Sequence, residues 1–327
     1  MLTALLSVIV KEYRQTFRDR RMIWILTVAP LLQLLLLGFA VNLEVEHVPT
    51  VIADEDRSPE SRALVDALCA GDAFDRAIMA QNAVVAFAMR RAEEEARQRL
   101  ASLAASAGQA VAIPRVNIEP RVLYNPRLES RIYFVPGVAA ALLVIVTLVT
   151  TAGGLTREKE AGTLEQVLVS PLRTDVLIVG KTLPYALIGL VDLGYVLAAG
   201  TWVFGVPLRG PLWVVFLAGA LYMLTTLGVG LLLGTLARTQ QQALMGTIFF
   251  MMPAIVLSGF ITPVENMPGW LRPLSGLSPI RHFVEILRAV LLKGAGVMDL
   301  GPQLVALAGI GIVVFVASAA LLRRRLA

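Results

Sequence analysis

The chain holds one cysteine and two histidines in 327 residues. Cys69 has no internal partner for a disulfide, and His47 with His282 supply too few ligands for a zinc site. Both histidines read as packing or loop residues, and no metal is expected. Charge is also scarce: 16% of residues are charged against 57% hydrophobic, and the mean hydropathy is +0.72. Those values do not fit a soluble globular domain. Catalytic signatures are absent as well, with no nucleophile elbow, HExxH or paired-Cys pattern. Gly180-Lys181-Thr182 copies the end of a phosphate-binding loop, but the full pattern needs glycine at position 175, after a strand and before a helix. Asp175 stands there and an apolar run follows, so the chain is read as neither an enzyme nor an ATP binder in its own right.

What is present is apolar sequence in long pieces. Crossing about 30 Å of hydrocarbon takes roughly 20 residues. Met22 to Leu43, Ile132 to Thr156, Gly210 to Ala237, Thr239 to Val264 and Leu300 to Leu322 carry no Asp, Glu, Lys or Arg, and Thr182 to Leu208 carries only Asp192. Six membrane helices are therefore expected in an all-α polytopic membrane protein. The first run is longer than the roughly 7 to 15 residues of a signal h-region, so it reads as an uncleaved span although Gly38-Phe39-Ala40 loosely fits a cleavage site.

Basic residues near the spans set the orientation. With both termini inside, Lys11, Arg14, Arg18, Arg20, Arg21, Arg157, Lys159, Arg173, Lys181, Arg238 and Arg323 to Arg325 collect on the cytoplasmic face, against Arg209, Arg272, Arg281, Arg288 and Lys293 opposite. The net charge of +5 then reflects topology and attraction to anionic lipid headgroups. No basic patch with interleaved aromatics supports nucleic-acid binding.

The expected order is a cytoplasmic interfacial helix (1–21), a first span (22–43), an extracytoplasmic domain (44–131), a second span (132–154) and a cytoplasmic loop (155–175). Third, fourth and fifth spans (176–206, 211–236, 240–260), outer re-entrant helices (261–298), a sixth span (301–322) and a cytoplasmic tail (323–327) follow. Leu5, Leu6, Ile9, Val10, Tyr13 and Phe17 share a helical face, which fits a helix in the headgroup layer or an extension of the first span. Eleven arginines and fourteen acidic residues mark 44–131 as a small α/β insert, with strands at 48–53 and 115–124 and helices at 58–68 and 81–107. Pro263, Pro268, Pro273 and Pro279 break the segment after the fifth span into two short helices, near 267–274 and 279–293, that dip into the outer leaflet.

Arg157-Glu158-Lys159-Glu160-Ala161-Gly162-Thr163-Leu164-Glu165, followed by Ser170-Pro171, is charged and helix-forming between two apolar runs. Such a segment reads as surface rather than core. Leu164, Val167 and Leu168 form a short apolar stripe, Glu158, Lys159, Glu165 and Gln166 remain available to a partner, and Pro171 ends the helix. The bland alternative is an amphipathic connector on the membrane surface. Asp192, deep in a span, is a carrier of a proton or a cationic substrate, or a hydrogen-bonding group for Tyr185, Tyr195 or a neighbouring Ser or Thr. Gln33 and Gln241 read as polar pathway lining, and Gly230 to Gly234 matches the GxxxG close-packing pattern.

Four blocks together resemble the ABC-2 transporter permeases, especially the bacterial drug and antibiotic exporter branch. They are Lys11-Glu12 with Arg18-Asp19-Arg20; Arg157 through Glu165 to Ser170-Pro171, with Gly180-Lys181 and Pro184-Tyr185; Ser258-Gly259 with Pro263, Met267-Pro268 and Trp270-Leu271; and Pro279 with Arg288 and Lys293-Gly294. The resemblance implies a six-helix half-transporter in the bacterial inner membrane, paired with a second permease and with two cytoplasmic ATPase subunits that hold ATP and Mg. It places the coupling helix on Arg157 to Ser170 and re-entrant outer helices on Pro263 to Lys293, a segment whose broken, covered backbone also reads as an outer gate with Pro263, Met267, Pro268, Trp270 and Arg288 as its candidates. The external domain is short for the family, which bears on docking of a periplasmic adaptor protein. Export of a drug-like or other hydrophobic substrate is the leading reading. A secondary transporter energised through Asp192 is the alternative, and an ATPase-linked stabiliser or sensor is a third.

Overall fold

The computed structural model describes residues 2–18, 20–40, 130–163, 174–260 and 264–326. The chain divides into two compact units, Asn42–Ser130 and Met1–Val41 with Arg131–Ala327. The first unit, with the expected α/β insert, lies outside the described residues apart from Ser130.

In the second unit every regular element among the described residues is helical. Helices α1 (Leu2–Arg18) and α2 (Arg20–Ile23) lead through a π-helical turn at Trp24–Val28 into α3 (Ala29–Ala40). Proline chemistry accounts for the turn. Pro30 has no N–H to offer the Leu26 carbonyl four residues back. The Ala29 N–H bonds instead to Trp24 O, five residues back, and the Tyr195 hydroxyl donates to the freed Leu26 carbonyl at 2.6 Å.

The remaining helices are α4 (Ser130–Glu160), α5 (Thr174–Phe204), α6 (Leu212–Leu236), α7 (Gln240–Val256), α8 (Arg272–Ser275), α9 (Pro279–Arg288) and α10 (Gly301–Leu326). Four helices, 131–160, α5, α6 and 301–325, are long and apolar enough to cross a membrane. Six were expected from the apolar runs. The apolar helix at Leu26–Phe39 is shorter, and the 17 residues of α7 reach only about 25 Å at 1.5 Å per residue. Gly259, with φ of 74°, turns the chain just after α7 and cuts short the run expected to reach residue 260.

Helix α4 is the central element, most of its apolar length buried by neighbouring helices, whereas most of α10 faces outward. It is held to α6 by polar and small residues, as suits a bundle in which lipid offers no hydrophobic drive between helices. The Thr147 hydroxyl donates to Thr226 at 2.8 Å and the Tyr222 hydroxyl to the Ala140 carbonyl at 3.1 Å. A Cβ on Gly230 would stand 2.8 Å from Thr151 Cβ, and one on Gly234 3.0 Å from Ala152 O, so the GxxxG pair faces α4 at close range.

The N-terminal helices follow α5 along its length. Val8 fills the space beside Gly180, Tyr185 donates to Glu12, Tyr195 to Leu26, and a Cβ on Gly38 would strike the Phe204 ring. Helix α1 therefore packs along the start of α5.

Beyond α7 come a 3-10 turn at Val264–Asn266, α8, α9 and a π-helical turn at Ala289–Lys293 that ends on left-handed Gly294. The helix expected near 267–274 is shorter, because Pro268 precedes it and Pro273 occupies its first turn. The longer one fills 279–293 as expected, burying Ile280, Phe283, Val284, Ile286 and Leu287, with Phe283 stacked on Tyr222 at 4.5 Å.

Candidate functional site

Arg157 to Glu160 form the last turn of α4, and the roughly 100° step between helical residues sends each side chain to a different neighbour. Glu158 turns toward α1 and α5. Its carboxylate accepts from Lys11 Nζ at 2.6 Å and from Lys181 Nζ, while Lys181 also bonds Glu12 Oε1 at 3.0 Å. The Tyr185 hydroxyl donates to the other Glu12 oxygen at 3.2 Å. Glu12 and Glu158 are each 3% exposed and Lys181 6%, whereas Lys11 keeps about half its side chain outside. Burying one carboxylate here would cost several kcal/mol. Two carboxylates and two ammoniums in mutual contact offset that cost and tie three helices at one point.

Lys159 turns the other way. Its ammonium donates to the carbonyls of Gly234, Thr235 and Ala237 at 2.7, 2.8 and 3.0 Å. These are the orphan acceptors at the end of α6, where a cation also meets the negative end of the helix dipole. Glu160 accepts from the Gln240 backbone at 2.9 Å and from its side chain at 2.6 Å, which caps the first turn of α7 with a negative charge. Thr239 completes that cap by accepting from the Gln242 N–H at 3.2 Å. On the same end, Arg323 of α10 pairs with Asp175 of α5.

Three consecutive side chains of α4 thus hold the middle of α1, the second turn of α5, the end of α6 and the start of α7. This departs from the reading of Arg157 to Ser170 as one surface helix. Arg157 to Glu160 belong to the span helix, which ends as Ala161 N–H bonds Arg157 O at 3.0 Å and Gly162 takes a left-handed φ of 68°. Glu158 and Lys159, expected to be available to a partner, are engaged inside the chain, since buried cations and free carbonyls of neighbouring helices compete for them. Arg157 and Thr163 are half-buried, Glu160 and Gly162 exposed, and the Thr163 hydroxyl donates to Glu158 O at 3.3 Å. Leu164, Glu165, Ser170 and Pro171 lie outside the described residues.

The polar candidates of the spans do not gather in one place. Asp192 is 1% exposed, and neither carboxylate oxygen has a hydrogen-bond partner among the described residues. The Tyr185 hydroxyl donates to Glu12 and the Tyr195 hydroxyl to the Leu26 carbonyl, with Tyr195 also lying beside Asp192 as its polar neighbour. Gln33 is exposed on α3. Gln241 lines a cavity of about 460 Å³ with Met22, Gly153, Arg157 and Thr247. At the opposite end of α4, Arg288 donates to the Tyr133 carbonyl at 3.3 Å and hydroxyl at 2.9 Å, and its guanidinium lies 3.5 Å from that ring centroid. It also reaches Gly259 O at 3.4 Å. Met267 is buried and its carbonyl accepts from Arg272 at 3.0 Å, Pro268 and Trp270 are exposed, and Pro263 lies outside the described residues. No cluster of metal-ligating side chains occurs among the described residues.

Glu12, Lys181 and Tyr185 were not among the site candidates, although each sits in a block that carries the family resemblance. The available signal was a charged residue embedded in an apolar stripe. Val8, Glu12 and Thr16 share one face of α1, and Lys181 opens the third apolar run.

Comparison with known proteins agrees with this architecture. Residues 70–320 match the family described as ABC-2 family transporter protein. The chain is 32% identical to the probable multidrug ABC transporter permease YbhR of Escherichia coli K12 over 336 residues, covering 90% of this chain and 91% of that one. It is 31% identical to the probable multidrug ABC transporter permease YbhS of the same strain over 184 residues, 55% of this chain and 48% of the relative. Identity is 33% to the inner membrane transport permease YhhJ over 201 residues, 61% and 53% of the two chains. With a family match over most of its length and a relative aligned over nine-tenths of it, the chain belongs to the ABC-2 transporter family.

Proposed function

We propose that the chain is the membrane-spanning subunit of an ATP-driven exporter that moves a drug-like or other hydrophobic molecule out of a bacterial cell across the inner membrane. ATP and Mg are held by a separate cytoplasmic ATPase, and a second permease, identical or different, completes the assembly. Helices α3 and α7 serve as the first and fifth of six spans, with both termini inside and a short external domain whose docking to a periplasmic adaptor is open to test.

The observation that carries this reading is the convergence on Glu158, Lys159 and Glu160 of the middle of α1, the second turn of α5, the end of α6 and the start of α7, immediately before the 161–171 segment. A subunit that engages that segment pulls on α4, and through these three side chains on α1, α5, α6 and α7. At the far end, Arg288 ties α9 and the Gly259 turn to Tyr133 of the same helix. Helix α4 is then a single rod from the ATPase contact to the outer segment, and outward opening is its tilt or rotation between two states. The mainly apolar cavity at Gln241 and Arg157 lies beside this rod, where a substrate path between two permeases is to be sought.

The test is affinity purification of the tagged chain with identification of its partners, comparing wild type with Glu165→Lys. A stoichiometric ATPase that is lost in the variant supports the reading. Recovery of a chain that moves substrate without ATP overturns it. The carboxylate of Asp192, 1% exposed within a span helix, favours one second reading, secondary transport through that group.

A further inference from the structure

Helix α1 presents three faces. Val8, Glu12 and Thr16 are buried toward α5. Ser7, Lys11, Arg14 and Arg18, at i, i+4, i+7 and i+11, form a basic stripe that meets Arg157 of α4 across an open groove of about 700 Å³. Leu6, Val10, Tyr13 and Phe17 form a third stripe, 44–51% exposed, so this apolar face is not satisfied by the fold. Beside that third face, Tyr13, Phe17 and Ile23 form with Leu187, Val191 and Tyr195 of α5 a largely apolar pocket of about 410 Å³.

We infer that the groove and the pocket together form a binding site for one anionic phospholipid. The phosphate lies among Arg14, Arg18, Lys11 and Arg157, and an acyl chain lies against Tyr13, Phe17 and Val191. Charge complementarity argues for the head: among the described residues that line the groove are the cations Arg14 and Arg18, together with Lys11, which already pairs with Glu158, and Arg157 of α4, and none of those described residues is a carboxylate. The level is that of headgroups, because Arg157 stands in the last turn of α4, where α6 ends and α7 begins. The apolar pocket on the adjoining face argues for a lipid over an acidic protein surface, which brings charge and no hydrocarbon. Lys11 belongs to both the groove and the pair with Glu158, so the lipid phosphate shares a cation with the cluster that joins α1, α4 and α5. The site stands whether or not the exporter reading does.

The experiment uses the purified full chain in nanodiscs of equimolar phosphatidylglycerol and phosphatidylethanolamine, with the lipid retained after gentle detergent extraction measured by mass spectrometry. Wild type is expected to retain phosphatidylglycerol preferentially, and Arg14→Gln with Arg18→Gln to lower that preference at least about five-fold, since one basic residue near an anionic headgroup is worth about 1 kcal/mol. Arg238→Gln with Arg324→Gln, the same charge change at exposed positions outside the groove, keeps the preference, and inorganic phosphate at roughly ten times the lipid concentration does not displace the lipid. Absence of preference in wild type, or equal loss in the control pair, overturns the site, the latter by reducing it to bulk attraction. Displacement by inorganic phosphate overturns it in favour of a free-anion site. A groove variant that keeps its lipid but loses the ATPase on co-purification assigns the groove to that subunit instead.

Discussion

Lys181 and Glu12 are 169 positions apart in sequence, yet the ammonium of one lies 3.0 Å from Oε1 of the other with both side chains buried. Glu158 closes the same cluster from α4. Charges this deep are stable only in company, and removing one member leaves the others desolvated and unbalanced.

Lys181→Met therefore destabilises the protein by about 3–5 kcal/mol, because Glu12 and Glu158 are left buried with only half-exposed Lys11 for both. Thermal unfolding in detergent reads this loss, and Lys181→Arg recovers part of it. An unchanged midpoint for Lys181→Met would show that the cluster is not buried in the folded protein.

Lys159→Met removes the donor that satisfies three carbonyls at the end of α6. The expected cost is about 1–2 kcal/mol, moderated by the half-buried position of the lysine. The loosening is local. Backbone amides over 237–243 exchange faster with deuterium in the variant while those in the middle of α4 keep their protection, and uniform exchange across both regions would count against the capping role.

Gly230→Ala and Gly153→Ala act in opposite directions. The added Cβ at Gly230 meets Thr151 at 2.8 Å, so α4 and α6 are forced apart at a cost of about 1–3 kcal/mol. At Gly153 nothing lies within 4 Å, and alanine stabilises the helix by roughly 0.5–1 kcal/mol. Paired melting curves decide, and destabilisation by both would place a neighbour on the open side of α4.

Asp192→Asn keeps the shape of a buried side chain that has no hydrogen-bond partner among the described residues. Export driven by ATP is expected to persist in the variant and to be insensitive to collapse of the proton gradient. Loss of ATP-driven export, or export that follows the proton gradient, would transfer the energetics to Asp192.

The apolar runs made the spans legible, because 20 uncharged residues have few uses other than crossing a bilayer. Where the structure departs from them, the causes are single residues, Pro30 at the π-helical turn and Gly259, which cuts the fifth run short after α7, and a hydropathy average does not see either. The charged turn at Arg157 to Glu160 stood out in sequence, but its partners did not. Glu158 bonds Lys11 147 positions away and Lys159 bonds Gly234 75 positions away, and no local periodicity encodes such pairings. The rule that charge between spans lies on the surface failed at Glu158 because Lys181 sits in the apolar face that it meets. Of the two tyrosines expected beside the buried Asp192, Tyr185 turns to Glu12, while Tyr195 stays next to the carboxylate and also reaches the Leu26 carbonyl.

The most direct measurement is of ATP hydrolysis and export together, in proteoliposomes holding the chain with its ATPase, for wild type and Glu158→Gln. Lys181 retains Glu12 in that variant and the released Lys11 is half exposed, so the destabilisation is smaller than for Lys181→Met while the tie from α4 to α1 and α5 weakens. Transmission through the cluster predicts hydrolysis near the wild-type rate with export per ATP reduced about ten-fold, within the usual range of coupling energies. Export and hydrolysis that both stay at wild-type levels, or fall in parallel, would contradict it.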